Sequence, residues 1–367
     1  MTDTLYYRIA EAVEESIQGA PKVGGKFSQA FISYLKLVYT EKEAELVQHL
    51  AMPSKFKSAQ EIAEVSGRDV HEVKEILEAV SRKRGILSVN ESYCLPAVPG
   101  LLNIHQGYRE VRPGDEEASK LYQQFFIQEG YYKYYETSEK GTPWMRTIPV
   151  ERTIEKGEKI LIAEEAHALI SNLNTEDLVL NTCPCRTRTE KLGIRECKDK
   201  YPIGSCIIIG LGAQRLESLG MGKRVTKQQA IQYLDEMQKL GLVAATENYK
   251  TPDPTLICLC CECCCSQVRG RTRWDNPSSL LPSNFIPHAN EACTMCGACV
   301  DRCFFGALTL DEEAGKVVAN SQECIGCGVC TIKCPQEALK LCRYERTTSF
   351  ETSKELYKTI ARENKGV

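Results

Sequence analysis

Nineteen of the chain's 20 cysteines lie between Cys183 and Cys342, and only Cys94 precedes them. Disulfide scaffolds reach such density, but those are short secreted chains. The opening residues, with Glu11, Glu14 and Glu15, do not read as a signal peptide. The thiols are therefore expected to be reduced, in the cytoplasm, and to hold metal. With 367 residues the chain has room for two or three domains, since single cores rarely grow past roughly 250 residues. Its 46 Lys+Arg against 49 Asp+Glu leave a net charge of −3, which gives no bulk attraction for nucleic acid or anionic lipid. No run approaches the ~18 apolar residues of a membrane span, and the longest candidate, Cys206 to Leu211, is far too short.

Residues 1–40 mix short helical patterns with a break at Pro21 to Gly25 and carry no readable chemistry. From Glu41 the pattern sharpens. Ala44, Leu46, Val47 and Leu50 share one helical face, Ser58 and Glu61 form a capping box that opens a second helix, and Gly67 ends it. Val70, Val73, Ile76, Leu77 and Val80 recur at helical spacing, and Ile86 to Leu95 reads as a hairpin through Asn90-Glu91. Over residues 41–96 this order resembles a winged-helix domain, which implies DNA binding through the second helix of the motif. The charges oppose that use: Asp69, Glu72, Glu75 and Glu78 stand against Lys74 on its early turns and repel phosphate. A packing or protein-docking module fits better. Farther on, helices are expected at Asp115 to Gln128, Ala163 to Leu173 and Lys227 to Leu240, the last capped by Thr226 with Gln229 and closed by Gly241. Tyr131, Tyr132, Tyr134, Tyr135 and Trp144 are read as packing residues without an assigned role.

At the C-terminus, Cys293-x2-Cys296-x2-Cys299-x3-Cys303 is followed by Cys324-x2-Cys327-x2-Cys330-x3-Cys334-Pro335. Two residues between thiolates let a loop wrap three corners of a cubane and aim its N–H groups at the sulfurs. The repeat resembles the bacterial dicluster ferredoxin domain. That resemblance implies a pseudo-two-fold β-α-β arrangement with two [4Fe–4S] clusters, one held by Cys293, Cys296, Cys299 and Cys334, the other by Cys324, Cys327, Cys330 and Cys303. Gly297, Gly326 and Gly328 suit close backbone approach. Phe304-Phe305 replaces the usual Pro after the fourth cysteine of the first repeat and makes its surroundings more apolar.

Two further constellations lie upstream. Cys183, Cys185, Cys197 and Cys206 can close a tetrahedral metal or a cubane, with Arg186 and Arg188 placed to offset cluster charge. Cys258, Cys260, Cys261, Cys263, Cys264 and Cys265 crowd into eight residues. If the run is extended, Cys261, Cys263 and Cys265 face one side and Cys258, Cys260 and Cys264 the other; if it is coiled, C-x2-C pairs form instead. One or two additional iron–sulfur clusters are expected among these ten, with zinc or a dithiol pair as the alternatives. The order of Cys-Pro-Cys-Arg, capped helix, cysteine run, Asn276-Pro277 and dicluster repeat, over about residues 140–345, is similar to a group of iron–sulfur proteins of anaerobic bacteria. In that group the upstream cysteines are taken as metal ligands and substrates are generally unassigned. Cys94 and Cys342 read as free thiols.

The expected fold is α+β. It has a helical, winged-helix-like region at 1–100, a helical Tyr-rich connection at 101–175, a cysteine-rich domain at 176–285, a dicluster ferredoxin domain at 286–345 and a tail at 346–367. No G-x-G-x-x-G follows a strand, no phosphate loop is present, and the five histidines are scattered, so no nucleophile–base pair can be nominated. The expected function is single-electron transfer to a redox partner, a flavin- or metal-containing oxidoreductase. Two alternatives stand beside it: a reductase with a catalytic unusual cluster at Cys183–Cys265, and a redox-sensing winged-helix regulator.

Overall fold

The computed structural model describes residues 2–53, 55–158, 164 and 166–365. The chain divides into two compact units, one of residues 1–139, 187–194 and 360–367, the other of 140–186 and 195–359.

The first unit is mostly helical. Helices Glu41–Val47, Ala59–Ser66 and Val70–Arg82 begin at side-chain caps, with full capping boxes at Thr40/Glu43 and Ser58/Glu61 and with Asp69 accepting from two N–H groups. Gly67 closes Ala59–Ser66 in the left-handed conformation. Strands Leu87–Val89 and Ser92–Cys94 pair antiparallel across Asn90 and Glu91, both at positive φ, and Lys57–Ser58 completes a three-stranded sheet. Phe31, Tyr34, Tyr122, Phe125 and Phe126 pack edge-on or stacked in the core, with Tyr131 against Phe125 and Phe126. The helix expected at Asp115 to Gln128 runs as an α-helix only over Asp115–Tyr122 and winds wider over Gln123–Gln128. The wider turn brings the successive side chains of Phe125 and Phe126 into the core together.

Two cations from residues 187–194 are fixed within this unit. Lys191 donates to the fully buried Asp115 carboxylate at 2.6 Å, and His105 Nδ1 meets the same group at 2.9 Å. Arg188 lies over the Tyr122 ring at 4.0 Å.

The second unit is built on a six-stranded antiparallel sheet in the order Met145–Ile148, Val243–Glu247, Leu256–Cys260, Ser205–Ile209, Leu178–Thr182, Lys223–Arg224. One face carries Ile207, Ile209, Ala244, Ile257 and Leu259, covered by Ala230, Leu234 and Met237 of helix Lys227–Leu240. That helix has the expected Thr226/Gln229 box and a left-handed Gly241 at its end. The other face carries Val243, Ala245, Cys258 and Cys260, packed with Ile325, Val329, Phe304 and Phe305. The helix expected from Ala163 spans Ala166–Ser171 in the described residues, and Ala163 lies outside them. In the C-terminal segment Phe285–Ala289 pairs with Leu339–Arg343, and Leu308–Asp311 with Lys316–Ala319, both antiparallel. The chain is therefore of mixed α+β character.

Candidate metal centres

The two C-terminal repeats each surround a cavity. One is lined by Cys293, Cys296, Cys299 and Cys334; the other by Cys303, Cys324, Cys327 and Cys330. Each chamber thus collects three thiols of one repeat and the fourth of the other. Four thiols around an otherwise apolar void, with the Gly326 N–H 3.4 Å from Cys324 Sγ, fit a thiolate-bound cluster. Burial pushes the Cys299, Cys324 and Cys327 thiols upward. Cys299 and Cys330 share one apolar cluster, against which Cys293, Cys303 and Cys334 pack.

Arg346, in the tail beyond the repeat, braces the second chamber. Its guanidinium donates to the carbonyls of Ser283 (2.8 Å), Phe285 (3.0 Å), Ser321 (3.0 Å) and Cys324 (2.7 Å). A lone arginine outside every motif gives no sequence signal for that role.

The ten middle cysteines sort into two sets that match neither the extended nor the coiled expectation in full, although the C-x2-C pair Cys261/Cys264 is brought together. Cys183 neighbours Cys185 and Cys206, Cys206 neighbours Cys258, Cys258 neighbours Cys260, Cys260 neighbours Cys265, and Cys265 neighbours Cys185, which closes a ring of six thiols. The β register explains most of it. Ile257 pairs with Ile207, so Cys258 and Cys206 lie side by side, and Cys260 follows on the same face two residues later. Asn181 opposite Cys206 brings the end of its strand, and then Cys183, to the same edge.

Strand alternation sends Cys261 to the opposite face, into the cluster with Ile207, Ile209 and Leu259. There Cys261, Cys263, Cys264 and Cys197 form a buried set whose sulfurs all lie within 4.8 Å of one another. The four-thiol grouping of Cys183, Cys185, Cys197 and Cys206 is therefore not formed, because the loop carrying Cys197 turns to the other side of the sheet. Arg186 is buried beside Cys261 and hydrogen-bonds it, while donating to the carbonyls of Ile203 (2.6 Å) and Leu259 (2.8 Å). Cys94 is fully buried in the first unit, its thiol pushed up to about 11 by burial. Among the described residues no helix is long and apolar enough to cross a membrane.

The 4Fe-4S dicluster domain family matches residues 292–338. The chain is 37% identical over 92 residues to an aliphatic sulfonate oxidoreductase, polyferredoxin-like subunit, of Pyrococcus furiosus, covering 23% of this chain and 51% of that protein. It is also 37% identical over 60 residues to an archaeal-type NADPH glutamate synthase of Thermotoga maritima, covering 16% of this chain and 12% of that one. The chain spans about half the length of the first relative and much less of the second. No solved structure matches. Residues 292–338 form a 4Fe–4S dicluster domain, and the chain accordingly carries an iron–sulfur electron-transfer domain.

Proposed function

We propose that the chain passes single electrons to or from a partner oxidoreductase, using two [4Fe–4S] clusters at the C-terminus and at least one further iron–sulfur cluster among Cys183–Cys265. The observation that carries this reading is the pair of chambers, each lined by three thiols of one repeat and one of the other. Cys293, Cys296, Cys299 and Cys334 would hold one cubane, and Cys324, Cys327, Cys330 and Cys303 the second. A bound cubane supplies one-electron redox chemistry at a potential set by charge, hydrogen bonds and burial. The residues around it keep water out: Phe304, Phe305, Ile325 and Val329 wall the second chamber, and the same apolar cluster contains Cys260, Cys265 and Cys327. One core thus joins the second quartet to the ring of six.

The three helices and three-stranded sheet at residues 41–96 support a winged-helix-like module that docks a protein partner. Glu72, on the helix that would enter a DNA groove, pairs instead with Lys42 and Arg68, and Glu78 with Arg82. The polyferredoxin-like subunit of the Pyrococcus oxidoreductase supports a role as one component of a larger redox enzyme. A reducing compartment, the cytoplasm, suits thiols of this number.

One observation favours a second reading, a reductase: the ring offers six thiols where a cubane needs four. A substrate-responsive paramagnetic signal that disappears in Cys260→Ser while the C-terminal signals persist would establish it. For the main reading, iron and acid-labile sulfide measured without oxygen should exceed about eight of each per chain. A colourless preparation without sulfide refutes it.

A further inference from the structure

We propose that Cys197, Cys261, Cys263 and Cys264 hold a single tetrahedral metal ion, zinc or iron, and not a cubane. The spacing carries the argument. Cys197 Sγ lies 4.0 Å from Cys261 Sγ and 3.8 Å from Cys264 Sγ, while Cys263 Sγ lies 4.0 Å from Cys261 Sγ and 3.4 Å from Cys264 Sγ. Four sulfurs bound at about 2.3 Å to one tetrahedral ion are separated by about 3.8 Å. The thiolates of a cubane sit on four different irons and stand farther apart. The C-terminal quartets provide the contrast within the same chain: among the described residues, the Cys197 set is the one group of ligands drawn so close.

The surroundings are those of a closed structural site. All four cysteines are buried, and the loop that supplies Cys197 is clamped to the turn and helix around the other three. Glu196 takes a two-pronged pair from Arg273 at 2.6 Å, Lys200 pairs with Glu262 at 2.9 Å, and Thr272 donates to the Glu262 carbonyl at 3.1 Å. Four thiolates around a divalent ion are formally doubly negative, and the buried Arg186 beside Cys261 offsets part of that charge. Metal binding releases the thiol protons to solvent, with no change of oxidation state. The inference goes beyond the electron-transfer reading, and it leaves the ring of six for the further iron–sulfur cluster.

Zinc and iron share this ligand chemistry, and sulfide tells both from a cluster. In full-length protein prepared without oxygen, Cys197→Ser should lose about one metal ion per chain with sulfide unchanged. A loss of about four irons together with about four sulfides overturns the proposal. Because this variant can also misfold, the unmutated protein supplies an independent reading. Zinc-edge X-ray absorption should show four sulfurs at about 2.3 Å, or, if zinc is absent, Mössbauer spectra should show isolated tetrathiolate iron. A sample with neither overturns it as well. Failure of the C-terminal clusters would leave these readouts untouched, so the two readings fall separately.

Discussion

Met295 and Gly326 hold the same place in the two C-terminal repeats and share a left-handed backbone, with φ of +53° and +66°. At Gly326 an added Cβ would lie 2.2 Å from the Phe285 carbonyl oxygen and 2.3 Å from Ser283 Oγ, so only glycine fits. The first repeat bears the same conformation on a methionine, at a cost of about 1–2 kcal/mol. The next pair differs in the same sense: Gly297 has nothing within 4 Å of an added Cβ, whereas Gly328 has Leu341 Cδ1 at 2.8 Å. Cys324, Cys327 and Cys330 are all buried, while Cys296 is exposed. Ligand spacing decides what each repeat binds, and packing decides how tightly the site is enclosed.

The sharpest break in that comparison is expected from the ligands. Cys327→Ala should remove the enclosed cluster, about four irons and four sulfides, and destabilise the second unit, in whose core Cys327 sits. Cys296→Ala should cost less iron, because water or another ligand can reach that corner; equal losses in metal analysis would refute the contrast. Gly326→Ala is expected to destabilise by about 4 kcal/mol or more, through a backbone collision added to the dihedral penalty, against about 1 kcal/mol for Gly297→Ala. Chemical unfolding of the reconstituted proteins measures both.

A control lies in the first unit. Lys191→Met leaves the Asp115 carboxylate buried without its ammonium partner and should cost about 3–5 kcal/mol with iron content unchanged. Burial pushes Asp115 up, but Lys191, the Arg112 N–H and His105 outweigh it and hold the carboxyl below its ordinary range. Its contribution is thus fully present above the unfolded value of about 4 and is lost as pH falls through the lower folded value. Acid titration of the first unit in Asp115→Asn should lack that step. The smallest effect is expected for Met295→Gly, which relieves strain but loosens the unfolded chain and should move stability by no more than about 1 kcal/mol.

The C-terminal motifs were legible because their spacing is local, and each chamber is lined by three thiols of one repeat and one of the other, the grouping that the family resemblance implies. The capping boxes at Ser58/Glu61 and Thr226/Gln229 were legible for the same reason, since both partners lie within one turn. The middle cysteines were not. Their sorting depends on which strand pairs with which, and on a loop that brings Cys197 to Cys261 across 64 residues of sequence. A one-residue change of register in Leu256–Cys260 would turn Cys258 and Cys260 to the other face. The contact of Arg188 with the Tyr122 ring was not legible either, because it depends on a tertiary position 66 residues away. The wide turn at Gln123–Gln128 left no trace beyond two adjacent phenylalanines.

The open corner at Cys296 has a practical consequence for anyone handling this protein. Dissolved oxygen reaches that sulfur without any unfolding, while the corresponding Cys327 of the other repeat lies buried. In air the brown colour should therefore fade in two stages, the outer half bleaching first, and a sample caught between them would carry one intact cube.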